Sequence, residues 1–299
     1  MQLDLAAIYR LETSIAVVAH DAGAANVVIA ALLETGRKDW RAYMQGPAKK
    51  IWESTFPEVV LYDSIEQAIE GSELLISGTG WASDVEYEAR RVAQRKSVKS
   101  IAVIDHWVNY AERFVRNGEQ VLPDEIWVTD EYALELALDA FPGKFVLQVP
   151  NYYLEKQLRD IALLDKPTNP KLLYILEPIR SKWGRNIPGE FQALEYFISK
   201  FPQLGVSKET VICLRPHPSD LEGKYHDWIK SHSDMNIKLD DSISITESLG
   251  RAKWVAGCES FALALALMAG KTVYCTLPPW APACRLPHSG LIQLRALSK

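Results

Sequence analysis

A histidine confined between two prolines is the most distinctive chemical feature of this 299-residue sequence. The run Arg215-Pro216-His217-Pro218-Ser219 follows an apolar stretch typical of a buried strand. Proline fixes its own φ and restricts the residue before it, so the turn presents the imidazole in one backbone geometry beside the Arg215 guanidinium. Such a pair could hold a nucleotide phosphate and stabilise it as it leaves. A rigid surface turn is the alternative interpretation.

A second candidate site lies where a predicted strand runs into a helix, at Gly257-Cys258-Glu259-Ser260. Backbone N–H groups at the start of a helix are unpaired and can bind phosphate oxygens. The Ser260 hydroxyl would add to that site, and Glu259 could accept hydrogen bonds from ribose hydroxyls. The alternative is structural, with Ser260 capping the helix and Glu259 interacting with its dipole.

The N-terminal half offers candidates for a general base. His20 and Asp21 follow the first predicted strand, and the small residues after them, Gly23 included, let another molecule approach the backbone. Either side chain could deprotonate an acceptor hydroxyl, while Asp21 could instead cap the following helix. Asp105 is another candidate base with His20 as its partner, or a structural carboxylate that holds its loop.

Further strand ends carry groups that could contact a sugar. His106 and Trp107 follow Asp105 directly and provide a hydrogen-bonding group and an aromatic surface. Thr79 lies in a glycine-rich turn before a predicted helix. We therefore assign the following residues to the acceptor side: Gly23, Asn26, Thr79, His106 and Trp107.

Two arginines are further candidates for contacts with a nucleotide. Arg180 follows the first predicted strand of the second half, and Arg285 lies in a proline-rich loop that could fold over a bound ligand. With the histidine turn and the helix start, they complete the predicted nucleotide and donor site: Arg180, Arg215, His217, Pro218, Glu259, Ser260 and Arg285.

The elements that must position these residues are predicted by apolar runs alternating with amphipathic segments. This pattern is typical of β-α units around parallel strands, whose ligands bind at the carboxyl ends of the strands. The predicted strands are 15–19, 41–44, 59–62, 74–77, 101–104, 125–128, 145–149, 172–176, 210–214, 237–239, 254–256 and 272–275. The predicted helices are 25–35, 64–70, 81–95, 131–140, 189–200, 221–231, 245–251 and 259–269.

A break between Pro150 and Pro170 divides this alternation into two parts. We predict an α/β protein with two Rossmann-like parallel-sheet domains that face a cleft. The acceptor-side domain would span 1–152, a linker 153–170, and the nucleotide-sugar-binding domain 171–299. Each domain would have an ordinary size and its own core.

Composition narrows the classes of function. The net charge of -5, without a basic stripe, argues against nucleic-acid binding. Four widely spaced cysteines, read as buried apolar residues, and the lack of a signal-like N-terminus favour the reducing cytoplasm. No apolar run is long enough to span a bilayer, although peripheral membrane association stays open.

The sequence also lacks the motifs of several enzyme classes. It has no D-x-D, no H-E-x-x-H and no paired cysteines for a metal, and no P-loop or G-x-S-x-G motif. We therefore expect neither a metal nor another cofactor.

The segment from about 210 to 275 resembles the donor domain of GT-B glycosyltransferases, in particular the bacterial group with a His-Pro motif and a later serine motif. That group includes sialyltransferases, Kdo-type transferases and polyol-phosphate transferases. His217-Pro218 matches the first motif, and Cys258-Glu259-Ser260 approximates the second, with one serine where sialyltransferases often have two. The resemblance implies that His217 contacts the nucleotide and its phosphate and that Ser260 contacts the phosphate. It also implies a base, here Asp21 or His20, on the N-terminal domain.

The resemblance implies a metal-independent, inverting transfer of a sugar from a nucleotide-activated donor to a hydroxyl acceptor in glycan or polysaccharide synthesis. A CMP-sugar is the favoured donor, with UDP- and CDP-sugars as alternatives, and the acceptor would be a glycan or a small hydroxyl compound. Two other hypotheses stay open at this point. One is a nucleotide-sugar 2-epimerase or hydrolase of the same fold, and the other is a non-catalytic nucleotide-sugar-binding protein.

Overall fold

The computed structural model describes residues 13–80, 83–164, 168–179 and 181–297. The chain forms two compact units that divide between Glu155 and Lys156. In its described part, each unit contains one six-stranded parallel sheet with helices in the connections. The α/β class with two parallel-sheet domains is therefore confirmed.

The first unit is built on a parallel sheet in the order β2-β1-β3-β4-β7-β8, with β5 and β6 forming a separate antiparallel pair. Its strands are β1 (Ile15–Ala19), β2 (Arg41–Met44), β3 (Leu74–Ser77), β4 (Lys99–Val103), β5 (Val115–Arg116), β6 (Glu119–Gln120), β7 (Glu125–Val128) and β8 (Phe145–Gln148). Its helices are α1 (Ala22–Glu34), α2 (Gly46–Thr55), α3 (Ile65–Ile69), α4 (Val85–Arg95) and α5 (Glu131–Ala140), and α6 (Tyr152–Ala162) spans the division between the units.

The second unit repeats the design with a sheet in the order β11-β10-β9-β12-β13-β14. Its strands are β9 (Lys171–Ile175), β10 (Ile212–Arg215), β11 (Ile237–Leu239), β12 (Ala252–Gly257), β13 (Thr272–Cys275) and β14 (Ile292–Gln293). Its helices are α7 (Gly189–Lys200), α8 (His226–Ser231), α9 (Ile245–Arg251) and α10 (Phe261–Met268).

Burial on both faces of the sheet explains the apolar runs that predict the central strands. Along β1, Ile15 and Val17 belong to one apolar cluster, whereas Ala16 and Val18 belong to another. A strand covered by helices on both faces must be apolar at successive positions instead of alternating. The predicted bounds 15–19, 41–44, 74–77 and 125–128 accordingly match the structure.

One predicted strand is wrong. Residues 59–62 form no strand, although the Tyr62 N–H donates to Ala42 O at 2.9 Å, and Val60 is 83% exposed. The first part of the predicted linker 153–170 is helical, because α6 extends to Ala162, and the role of this segment as a linker stays a prediction. Asn151 initiates this helix, since its Oδ1 accepts a hydrogen bond from the Leu154 N–H at 3.0 Å. Across the described ranges, no helix has the length and apolar character needed to cross a lipid bilayer.

Candidate functional site

The carboxyl edge of the second sheet brings the two C-terminal motifs towards each other. Both β10 and β12 pair with β9, and Arg215 and Gly257 are each in register with Ile175. Parallel neighbours are about 4.8 Å apart, so the His217 turn and the Glu259-Ser260 segment begin roughly 10 Å apart on one edge. This is the region in which open parallel sheets bind ligands.

The His217 imidazole is oriented by its own turn. Its Nδ1 accepts a hydrogen bond from the Ser219 N–H at 3.1 Å and lies 2.7 Å from Ser219 Oγ. Because Nδ1 is an acceptor, the neutral ring carries its proton on Nε2. Burial lowers the pKa of His217, which favours this neutral form. The exposed turn, with Pro218, therefore presents an N–H donor.

Asp220 holds this turn in place. Its Oδ2 accepts hydrogen bonds from the His217 N–H and the Tyr225 hydroxyl, both at 3.0 Å, and its Oδ1 lies 2.6 Å from Lys224 Nζ. Although burial opposes ionisation, these partners keep the pKa of Asp220 below its usual value. The sequence interpretation missed Asp220, although an acid three residues after a turn residue is a common signal for such a bond.

Arg215 forms an ion pair with a buried carboxylate of its own unit. Its Nη1 donates to Asp240 Oδ2 at 2.6 Å, to Ser248 Oγ at 2.8 Å and to Ser242 O at 3.1 Å. The Asp240 side chain is almost fully buried. Nη1 of Arg215 thus neutralises a carboxylate of its own unit, and a contact between Arg215 and a phosphate stays a prediction.

The start of helix α10 is already occupied by a carboxylate. Glu177 Oε1 accepts hydrogen bonds from the backbone N–H groups of Cys258, Glu259 and Ser260 at 3.1, 2.8 and 3.0 Å. Desolvation raises the pKa of Glu177 to about 7. A donor phosphate cannot use these three amides while Glu177 holds them, and phosphate binding at this helix start stays a prediction.

The Ser260 side chain does not cap helix α10. It occupies the N-cap position without a side-chain capping bond, and its buried Oγ has no hydrogen-bond partner among the described residues. The hydrogen-bonding capacity of this buried hydroxyl is therefore unused among the described residues.

A cavity of about 460 Å³ adjoins this helix start. Glu177, Trp183, Glu259 and Arg285 contribute to its lining. Glu259 and Arg285 pair across it, with Arg285 Nη2 at 2.5 Å from Glu259 Oε1. Both residues thus lie where a nucleotide site was expected, while Arg180 lies outside the described residues.

In the first unit, His20 and Asp21 form a hydrogen-bonded pair. His20 Nδ1 lies 2.7 Å from Asp21 Oδ1, and the His20 backbone N–H donates to Glu86 Oε1 at 2.8 Å. Asp21 is at the N-cap position of α1 but makes no side-chain capping bond. An acidic acceptor at Nδ1 places the proton there and leaves Nε2 as the basic atom.

Glu86 is a site residue that the sequence interpretation missed. It is fully buried in the first turn of α4, and burial raises its pKa. Its Oε2 has no hydrogen-bond partner within the described residues. A glutamate in the first turn of a helix is ordinarily explained by the helix dipole, so its sequence position alone gave no signal of this role.

Glycines leave room for the catalytic candidates. A Cβ at Gly23 would lie 1.9 Å from Asp105 Oδ2, one at Gly80 would lie 2.2 Å from Asp21 Oδ2, and one at Gly46 would lie 2.6 Å from His20 Nε2. Gly23 was predicted to admit an acceptor, but the group that it accommodates is the chain's own carboxylate.

Asp105 is held by Arg113, another residue that sequence reasoning missed. Arg113 Nη1 lies 3.1 Å from Asp105 Oδ1 and 3.1 Å from Thr79 Oγ1, and the Arg113 side chain is only 8% exposed. Thr79 is itself buried and donates to Val103 O at 3.0 Å. This arrangement fits the structural alternative for Asp105 and leaves Thr79 inaccessible to an acceptor.

The aromatic surface predicted at Trp107 is wrong. Trp107 is only 5% exposed, and its indole N–H donates to Asp130 Oδ2 at 2.8 Å, so a sugar has little ring face to stack on. His106 is partly exposed, and its Nδ1 accepts from the Trp107 N–H at 2.9 Å. Asn26 is partly exposed on α1. Nowhere in the described ranges do three or more His, Cys, Asp or Glu side chains form a group suited to a metal ion.

Comparison with known proteins identifies the fold. No protein-family model matches the chain, and no curated protein sequence matches it significantly. S. aureus MnaA, solved with UDP, matches with a TM-score of 0.62 and 12% identity over 88% of this chain and 79% of that chain. UDP-GlcNAc 2-epimerase from Methanocaldococcus jannaschii matches with a TM-score of 0.58 and 12% identity over 88% of this chain and 83% of that chain.

A third similar structure is a variant of the wall teichoic acid polymerase TagF, with a TM-score of 0.51 and 12% identity over 91% of this chain and 74% of that chain. Identities this low establish the fold and leave the reaction open. The chain therefore has a GT-B-type fold of two parallel-sheet α/β domains. The resemblance to sialyltransferases and the functional meaning of the His-Pro motif are not established by these matches.

Proposed function

We propose that the protein is a cytoplasmic glycosyltransferase that moves a sugar from a nucleotide-activated donor to a hydroxyl group of a glycan or other acceptor. The observation that carries the proposal is the His20–Asp21 pair, 2.7 Å apart, in which a carboxylate orients an imidazole for use as a general base. Asp105, held by Arg113, is the less suitable base.

A groove beside His20 supports transfer to an acceptor. It has a volume of about 630 Å³ at the carboxyl end of β2, and its lining includes Gly46, whose missing side chain makes room for His20 Nε2. Tyr43, Tyr62 and Asp63 add aromatic surface and hydrogen-bonding groups. This mixture suits a sugar, which presents apolar C–H faces and hydroxyl edges.

In the proposed reaction, His20 Nε2 takes the proton of the acceptor hydroxyl as its oxygen attacks the anomeric carbon. The bond between that carbon and the donor phosphate breaks, and the phosphate leaves with the electron pair. Asp21 stabilises the imidazolium that forms. The Nε2–H of His217 donates a hydrogen bond to the departing phosphate, and the unpartnered Ser260 hydroxyl offers a second one.

The donor is proposed to be a pyrimidine-nucleotide sugar. The sequence resemblance favours a CMP-sugar, whereas the similar structures carry UDP and UDP-GlcNAc in their names. The 460 Å³ cavity is large enough for part of such a nucleotide, and its two carboxylates can accept hydrogen bonds from ribose hydroxyls or base N–H groups.

A nucleotide-sugar 2-epimerase is the second candidate, because one of the similar folds carries that name. In that case, His20 would remove a proton from the sugar ring instead of from an acceptor. The same groups would hold the nucleotide, so the fold does not distinguish the two reactions.

Incubation with CMP-, UDP- and CDP-sugars, with and without a mixture of glycan acceptors, separates these functions. Transfer predicts nucleotide release that requires an acceptor and persists in EDTA. Release in water alone would instead identify a hydrolase, and a new sugar epimer without release would identify an epimerase. Binding without any conversion by the wild-type protein would contradict all three enzymatic functions.

A further inference from the structure

Three of the four cysteines converge at the carboxyl ends of β12 and β13. Cys275 is the last residue of β13, and its Sγ lies 3.2 Å from Cys258 O. Cys284 Sγ lies 3.9 Å from the same carbonyl oxygen. Cys213 is separate from this cluster, because it lies inside β10. The prediction that the cysteines are buried is confirmed for Cys213, Cys258 and Cys275, whereas Cys284 is partly exposed.

The two thiols that share this carbonyl oxygen differ in their exposure. Cys275 is fully buried, whereas Cys284 is partly exposed in the loop after β13. The neighbouring Cys275 thiol lowers the pKa of Cys284, although burial opposes ionisation. Cys284 is thus a partly exposed thiol of lowered pKa that shares a carbonyl oxygen with a buried thiol, the arrangement of an attacking and a resolving cysteine.

We propose that Cys284 and Cys275 form a reactive dithiol that a low-molecular-weight disulfide converts into an intramolecular disulfide, which loosens the ion pair of Arg285 with Glu259 at the cavity. The Cys284 thiolate attacks glutathione disulfide, forms a mixed disulfide and releases one glutathione thiolate. Cys275 then loses its proton and attacks the Cys284 sulfur, which releases the second glutathione. The two protein thiols are oxidised and one glutathione disulfide is reduced to two glutathione molecules.

The consequence for the cavity follows from the position of Cys284. A disulfide bond is about 2.0 Å long, much shorter than a contact between two thiols, so closure draws Cys284 towards the end of β13. Pro282 and Arg285 flank Cys284 and line the cavity. Arg285 donates to Glu259 from both its backbone N–H and its guanidinium, so a shift of the loop disturbs both contacts. Oxidation would therefore reduce nucleotide affinity, a consequence that rests on the proposed function.

Treatment of the 299-residue protein with glutathione disulfide tests the proposal. Peptide mapping without reduction is expected to show a Cys275–Cys284 crosslink that dithiothreitol removes. On the same maps, phenylglyoxal is expected to modify Arg285 several-fold faster in the oxidised protein than in the reduced protein. Calorimetry should show UDP affinity falling on the order of tenfold, which corresponds to about 1.4 kcal/mol.

Matched cysteine variants complete the test. Cys213→Ser should retain both the crosslink and the change at Arg285, whereas Cys284→Ser should lose both. A glutathione adduct that persists on Cys284, or a crosslink that leaves the Arg285 reaction rate unchanged, would overturn the proposal. Failure of the reduced protein to bind any pyrimidine nucleotide would instead contradict the proposed function. The crosslink and the rate of the Arg285 reaction would still test whether Cys275 and Cys284 form the reactive dithiol.

Discussion

His217 combines two properties that suit it to bind a phosphate without transferring a proton. Its Nδ1 is saturated by Ser219, and burial lowers its pKa, so the ring is neutral at pH 7 with its proton on Nε2. A neutral donor contributes a hydrogen bond but no full charge, so its contribution to the free energy of nucleotide binding should be moderate.

Replacement of His217 should therefore weaken nucleotide binding moderately. His217→Ala removes the donor, and we expect UDP or CMP affinity to fall about 5- to 20-fold, corresponding to roughly 1–2 kcal/mol. His217→Gln is the matched control, because its amide N–H₂ can reach the place of Nε2 and should restore part of the affinity. Isothermal titration measures both variants, and unchanged affinity in His217→Ala would remove the nucleotide role of this turn.

The two candidate carboxylates differ in their contacts, because Asp21 contacts the His20 imidazole whereas Asp105 contacts Arg113. Asp21→Asn should reverse the hydrogen-bond preference at His20 Nδ1 and lower kcat on the order of 100-fold with nucleotide affinity retained. Asp105→Asn should lower kcat much less and should lower thermal stability, because Arg113 loses an anionic partner. Steady-state kinetics and thermal melts would show the opposite ranking if Asp105 were the base.

At the scale of elements, the start of α10 is shaped by a side chain from a different strand. Glu177 follows β9, and β9 is the neighbour of β12, so its carboxylate reaches the three amides at residues 258–260. The carboxylate therefore substitutes for an external anion at a helix N-terminus. Its pKa of about 7 implies that ionisation costs free energy in the folded state.

The stability of the second unit should therefore depend on pH through Glu177. Its folded pKa lies above the usual value of about 4.5, so the stabilisation is complete below that value and is lost as the pH rises through 7. Glu177→Gln keeps an oxygen acceptor without the charge. The free energy of unfolding of Glu177→Gln minus that of the wild type should rise by on the order of 1–3 kcal/mol between pH 4 and pH 8. Urea unfolding at both pH values measures this difference, and a pH-independent difference would contradict the assignment.

Sequence patterns predicted the elements better than the contacts between them. The predicted strand 15–19 has the same bounds as β1. All five residues are buried, so the apolar run and the strand coincide. Glu177 was visible just after a predicted strand, but its role depends on β9 lying between β10 and β12, an order that no local pattern contains. Arg113 and Asp105 are eight residues apart and meet through a loop whose path has no periodicity to reveal it.

At the scale of the whole molecule, the two units have separate apolar cores. One core of the first unit contains Trp52 and Trp127, and the core of the second contains Tyr174 and Phe197. The net charge of -5 is compatible with binding an anionic nucleotide, since the donors proposed for it are local groups such as His217 Nε2–H and Ser260 Oγ–H.

Because the two units have separate cores and the proposed nucleotide site lies in one of them, we expect UDP to stabilise one unit more than the other. Scanning calorimetry should resolve two unfolding transitions, and UDP at 100 times its Kd should stabilise one of them by about 2.7 kcal/mol, raising its Tm by roughly 10 °C. Trp52→Leu, in the core of the first unit, should lower the other transition and leave the shift by UDP intact. His217→Ala should reduce that shift without lowering either transition in the absence of nucleotide. A shift by UDP of the transition that Trp52→Leu lowers would place the nucleotide in the first unit and contradict the assignment of His217 and Ser260.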